Sequence, residues 1–168
     1  MGLEDKKRAF ILLDIDGVLN NELYIEDRWN MNGEHAMHMN HVPFDPKCLY
    51  NLMILVRYIE QEYSVKIILS STWRLHEEDY NLVNARLAEY GLILSGKTSC
   101  INHVRGTEIK NFLIENNYIA QYDEFVILDD EKFDIIDIFP DRLIQTDFKT
   151  GFNVNSLIKT INKVNEWR

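Results

Sequence analysis

Little in this 168-residue chain could staple it from outside or anchor it elsewhere. It has two cysteines, Cys48 and Cys100, and neither stands in a metal-binding or redox spacing. Both are expected as free thiols in a reducing, cytoplasmic setting. No apolar run approaches the ~20 residues that cross a bilayer, so no membrane role is expected. Residues 1–8 carry acids and no long apolar stretch, which argues against a secretory signal. Met1-Gly2 has the start of a myristoylation signal, but Lys6 stands where Ser or Thr is required. Positive charge is also scarce: 18 Lys and Arg face 27 Asp and Glu, a net charge of −9. That balance argues against sequence-independent coating of nucleic acid, and leaves room for a local basic pocket that grips one phosphate. Neither repeats nor linkers divide the chain. We expect one domain over residues 1–168, monomeric or weakly dimeric, with 46% apolar residues to build its core.

What the chain does have is a set of apolar runs that end in polar residues. Phe10-Ile11-Leu12-Leu13 carries no charge, then stops at Asp14-Ile15-Asp16-Gly17-Val18-Leu19-Asn20. Such a run predicts a strand buried on both faces, as in parallel sheets. Ligands of open parallel sheets gather at the carboxyl ends of the strands, where Asp14 and Asp16 fall. Two residues apart in extended chain, their side chains leave on one side. Like charges held that close repel, so one should have its pKa raised unless a cation lies between them. Gly17 lets the chain turn away.

Strand and helix then alternate. Strands are expected at 9–13, 65–69, 92–94, 124–128 and 142–146. Helices are expected from Asp45-Pro46 to about residue 62, then at 77–90, 106–117 and 132–138, and over a last segment carrying Val154, Leu157, Ile158, Ile161 and Val164 at helical spacing. This predicts a three-layer α/β architecture, a Rossmann-like parallel sheet with helices on both faces. Residues 20–44 show no clean period and read as an irregular flap or insertion, too short for a large folded cap domain. His35, His38 and His41 within it invite a zinc reading, but no fourth ligand or rigid frame accompanies them, and they are expected to line the flap or face solvent.

Three strand ends carry complementary chemistry: Asp14 and Asp16, then Ser70 and Ser71, then Asp129 and Asp130. If the strands are parallel neighbours, these ends converge. Four carboxylates there, with no His or Cys, suit a hard divalent cation and point to Mg²⁺. The first motif, Asp14 to Asn20, resembles that of the haloacid dehalogenase (HAD) superfamily of phosphohydrolases. Ser70 fits the superfamily's second motif and Asp129-Asp130 its fourth. More narrowly, Leu69-Ser70-Ser71-Thr72-Trp73-Arg74, Arg105-Gly106-Thr107-Glu108-Ile109 and Thr150-Gly151 resemble the phosphatase module of multidomain Swiss-army-knife RNA-repair proteins.

The resemblance implies roles. Asp14 would be the nucleophile, forming an aspartyl-phosphate, and Asp16 the acid and then the base. Mg²⁺ would be held by Asp14, the backbone carbonyl of Asp16 and a fourth-motif acid, with Asp129 favoured, Asp130 next, and Asp134 at a spacing the family also shows. Ser70 would donate to the phosphoryl group, or Ser71 if the strand ends one residue later. The third motif departs from the family: Arg105 stands where lysine is usual, and Lys110 and Lys97 are the alternatives. Arg74 is either a further phosphate contact or a solvated surface residue. Trp73 is expected as a half-buried core ring rather than a platform for a base.

Together these predict a Mg²⁺-dependent phosphomonoesterase whose phosphorylated substrate is a nucleic-acid end, as in RNA repair. The alternatives are a phosphatase of nucleotides or sugar phosphates and a non-catalytic phosphate- or partner-binding domain. Asp16 argues against the last, because binding alone does not need it.

Overall fold

The uncharged runs become neighbours. The computed structural model describes residues 7–32 and 44–167. Its sheet has five parallel strands: β1 (Arg8–Leu13), β2 (Ser64–Leu69), β3 (Leu94–Lys97), β4 (Glu124–Asp129) and β5 (Leu143–Gln145), in the order β3-β2-β1-β4-β5. The central strand is therefore β1, the most uniformly apolar of them. In register, Leu13 lies opposite Leu69 on one side and Leu128 on the other. The residues that follow each, Asp14, Ser70 and Asp129, are thereby brought to one level of one edge.

Alternation along the strands explains why both sheet faces are apolar. Ile11, Leu13, Ile67, Leu69, Val126 and Leu128 join one core. Over that face lie α2 (Pro46–Ile59), α3 (Glu77–Ala88) and α6 (Val154–Asn165), through residues such as Leu52, Leu87 and Leu157. Phe10, Leu12, Ile68, Phe125 and Ile127 form the other core with Ile109, Phe112 and Leu113 of α4 (Arg105–Glu115) and Ile135 of α5 (Phe133–Ile138). Phe10 meets Phe112 edge to face at 6.1 Å. Each fully buried Leu, Ile or Phe contributes roughly 1.5–3 kcal/mol, so the sheet frame is held mainly by these two cores.

Two elements differ from the sequence reading. Residues 20–44 are not irregular throughout, for α1 spans Glu22–Asn32. The Oδ1 of Asn21 accepts from the Tyr24 amide at 2.9 Å, the bond of a helix N-cap. Leu23 is exposed and Tyr24 and Ile25 only half-buried, so this helix has no apolar stripe to betray it. Residues 33–43, including His35, His38 and His41, lie outside the described residues. The two ends of the insertion are tied together by Asp45 N–H to Leu19 O at 2.9 Å and Asn21 Nδ2 to Asp45 Oδ2 at 2.7 Å. The other difference is β3, which begins at Leu94 rather than Leu92. It is an edge strand with an irregular register against β2, so Ser95, Gly96 and Lys97 suffice where Leu92-Ile93 looked better. Ile93 is left exposed.

Cys48 is buried and Cys100 exposed, both free. Burial, with Asp45 adding to it, pushes the Cys48 thiol up to about 12, so it stays protonated.

Candidate active site

The chain leaves β1 through a tight turn that sets the first two acids. The Ile15 carbonyl accepts from the amides of Val18, Leu19 and Asn20 at 2.8–3.1 Å, and Gly17 N–H donates to Asn20 O at 2.7 Å. Gly17 has φ +70°, and a Cβ there would lie 2.3 Å from Cγ of Asp130. Glycine is thus required twice, by the backbone and by the closeness of the acid beside it. The loop before α6 braces the same turn: Thr146 Oγ1 donates to Gly17 O at 2.7 Å and Phe152 N–H to Val18 O at 2.8 Å. Gly151, at φ +63°, has no room for a Cβ against Val18 O at 2.7 Å.

Asp14, Asp129 and Asp130 form one cluster, each offering a carboxylate oxygen within 4.8 Å of the others. Asp129 also accepts the Glu131 amide at 2.9 Å. The cluster departs from the sequence expectation in one respect, since three carboxylates share it rather than four. The Asp16 carboxylate turns elsewhere. Its Oδ2 accepts from Trp73 Nε1 at 2.9 Å and its Oδ1 from Asn20 Nδ2 at 3.1 Å. Asp134 is also outside the cluster, occupied in accepting the Gly106 amide at the start of α4.

Arg105, the first residue of α4, reaches into the cluster. Its Nη1 lies 2.9 Å from Asp129 Oδ2 and 3.3 Å from Asp14 Oδ1, and donates to the Ser70 carbonyl. Burial works against the guanidinium charge, but Asp14 and Asp129 outweigh it and hold its pKa above the ordinary value. The other third-motif candidates are placed differently. Lys110 is exposed further along α4, and Lys97 donates to the Arg74 carbonyl at 3.0 Å while lying over the Tyr80 ring.

One cation does not neutralise three acids. Burial, more than the repulsion of neighbours, raises Asp14 above the ordinary carboxylate range, with Arg105 opposing and Asp16 a minor contributor. Burial and then the Asp14 charge push Asp129 up to about 8 and Asp130 up to about 6. A divalent cation among them would remove that penalty, and the donor set, all carboxylate oxygen, fits Mg²⁺. The hydroxyls of β2 differ from one another. Ser71 helps to hold the charge on Asp14, whereas Ser70 Oγ is buried without a partner among the described residues. An orphaned buried hydroxyl at the end of this strand has a donor to spare for an incoming oxyanion.

Arg74 corrects both of its sequence readings. It is neither solvated nor turned toward a phosphate, because its side chain is 3% exposed and fully engaged within the protein. Nε donates to Thr98 O at 3.0 Å, Nη1 to Ser71 O at 2.5 Å and Nη2 to Glu108 Oε2 at 2.5 Å. The clamp holds the 3₁₀ turn Thr72–Arg74 against β3 and α4. Trp73 is buried rather than half-buried. Glu108 stands within the Arg105-Gly106-Thr107-Glu108-Ile109 motif but has no role in the sequence reading, and the structure makes it the acid that Arg74 and Arg105 share. It sits one helical turn after Arg105, and that i, i+3 spacing was the available signal.

A search of curated proteins and a search of solved structures each found no match. A model of the family described as "HAD domain in Swiss Army Knife RNA repair proteins" matches residues 10–157. The match runs from the middle of β1 into α6, taking in all three acid- and hydroxyl-bearing strand ends and Arg105. With its five parallel strands, its acids at the ends of β1 and β4 and its hydroxyls at the end of β2, the chain belongs to the family of HAD domains found in Swiss Army Knife RNA repair proteins.

Proposed function

We propose that this domain is a Mg²⁺-dependent phosphomonoesterase that works through a phosphorylated Asp14. The observation that carries this reading is the Asp14–Asp129–Asp130 cluster with Arg105 against it and the unpartnered Ser70 hydroxyl alongside. Asp14, the Asp16 backbone carbonyl and Asp129 or Asp130 would hold the ion, which supplies positive charge where an anionic nucleophile meets an anionic ester. Arg105 and the Ser70 hydroxyl would bind the oxygens of the phosphoryl group as charge shifts onto them. An Asp14 oxygen attacks phosphorus while the bond to the leaving oxygen breaks, and Asp16 gives its proton to that oxygen. Asp16, now ionised, takes a proton from water. The water oxygen bonds to phosphorus, the bond to Asp14 breaks, and inorganic phosphate leaves.

Turnover of para-nitrophenyl phosphate with Mg²⁺, lost in EDTA and in Asp14→Asn, tests the reading. Turnover that survives either treatment would sink it.

For the substrate, we infer a nucleic-acid end in preference to a small phosphate ester. A polar recess of about 550 Å³ adjoins Asp130, lined by Gln145, Phe148, Asn155 and Lys159 among others. It has room for more than a phosphate and supplies amide, aromatic and ammonium groups of the kind that hold nucleotides. Hydrolysis of phosphorylated oligonucleotides against mononucleotides discriminates, and a wide margin for mononucleotides would favour the small-molecule alternative.

A further inference from the structure

Asp16 is held from two sides, and one of its partners is an indole. We infer that Trp73, with Asn20, is a positioning residue that fixes the Asp16 carboxylate for proton transfer to the leaving oxygen. The inference rests on the phosphatase reading above and adds a role within that site.

A buried tryptophan N–H needs an acceptor, and most acceptors in a protein are backbone carbonyls. Trp73 is 4% exposed, and its N–H goes to the Asp16 carboxylate at 2.9 Å. Its ring cannot easily follow a moving partner. It meets Phe44 edge to face at 5.5 Å, and it belongs to the 3₁₀ turn that Arg74 clamps to Ser71, Thr98 and Glu108. The donor is therefore fixed to β2, β3 and α4, while the acceptor sits on the turn after β1. Asp16 is half-buried and lies beyond the last strand residue, so without such a bond its side chain would choose among rotamers.

Asn20 supplies the second hold, and its geometry shows a cost. Its Nδ2 donates to Asp16 Oδ1 at 3.1 Å, while its own Oδ1 is buried with no partner among the described residues. The opposite orientation of the amide would set oxygen against a carboxylate oxygen. The amide thus faces Asp16 at the expense of an unsatisfied acceptor, which a site tolerates when the bond it keeps matters. With one N–H on each oxygen, the carboxylate plane is defined, and each oxygen keeps a lone pair for a proton in transit.

The consequence is selective. An acid in place matters most when the leaving oxygen is a poor leaving group, as in an alkyl or nucleoside ester, and little when it is para-nitrophenolate. Trp73→Phe keeps the ring and removes the N–H. We expect kcat/KM, which reports transfer to Asp14 and not the later hydrolysis, to fall about tenfold or more on an alkyl phosphate and less than about threefold on para-nitrophenyl phosphate. In an Asp16→Asn background, the same substitution should change neither value. Equal losses on the two esters, no loss on either, or a full additive loss in the Asp16→Asn background would each overturn the inference. If Trp73→Phe does not fold, Asn20→Ala is read the same way: ester-selective loss supports the inference and uniform loss overturns it. Wild type that turns over neither ester nor a phosphorylated oligonucleotide overturns the phosphatase reading itself. Active wild type with an unselective variant overturns only the role of Trp73.

Discussion

Asp14 and Asp16 are two residues apart in sequence and stand in opposite surroundings. Asp14 is buried among acids, with Asp129 and Asp130 within 4.8 Å and the Arg105 guanidinium against it. Asp16 is half-buried between two neutral N–H donors, Trp73 and Asn20, and takes no part in that cluster. The first environment concentrates negative charge and calls for a cation; the second holds a carboxylate still in one orientation. Two like residues with different roles follow from where a single tight turn sends each of them. In the proposed mechanism the first setting, with its cation, serves the nucleophile, and the second serves the proton carrier.

The largest effect should come from the first side. Asp14→Asn keeps the shape and removes the proposed nucleophile, so turnover of para-nitrophenyl phosphate should fall on the order of 10⁴-fold or more. Next comes the frame behind the second side. Arg74→Met takes from buried Glu108 its closest cation, leaving it the Ile101 amide at 2.8 Å and Arg105 Nε at 3.9 Å, which should cost about 3 kcal/mol in urea unfolding. A negligible loss would show that the clamp does not hold the Trp73 turn. Arg105→Lys keeps the charge but loses the guanidinium whose Nη1 meets Asp14, Asp129 and the Ser70 carbonyl while its Nε faces Glu108, and kcat/KM should drop about 10–100-fold.

A smaller effect separates the two sides by pH. Without metal, burial and repulsion place Asp129 at about 8 and Asp130 at about 6. Both lie above the value an unfolded carboxylate has, so between about pH 4 and 8 the native state holds more protons than the unfolded chain. Their contribution to stability therefore falls as pH rises through that window. Mg²⁺ competes with those protons, so its thermal protection should be near zero at pH 5 and grow to several degrees by pH 8. Asp129→Asn should flatten most of this dependence, whereas protection independent of pH would count against the cluster as the metal site. Smallest of all, Lys110→Ala on the exposed side of α4 should change stability by less than about 0.5 kcal/mol and leave kcat/KM unaltered.

The acid cluster was legible in the sequence, and the hold on Asp16 was not. Strands buried on both faces announce themselves as uncharged runs, and parallel register then carries Asp14, Ser70 and Asp129 to a common edge with no further information. Arg105 came from the resemblance, as the residue standing where the family usually has lysine, with Lys110 and Lys97 left as alternatives. Helix α1 escaped because its sequence has no apolar period; its polar cap, Asn21, was the one local sign. Arg74 escaped because arginine is ordinarily exposed, and its partner Glu108 is 34 residues away. The Trp73 bond to Asp16 spans 57 residues and depends on how β2 packs beside β1, a long-range fact that no spacing within either motif encodes.

The most direct test of the account is to catch the phosphate on Asp14. Asp16→Asn should still be phosphorylated by para-nitrophenyl phosphate, which needs no acid, yet lack the base for hydrolysis. Mixed with this ester and Mg²⁺, quenched in acid and digested, it should yield the Asp14 peptide heavier by one phosphoryl group, and EDTA should abolish the adduct. Phosphate on Ser70 or Ser71 instead, or no adduct while the wild type turns over, would contradict the account.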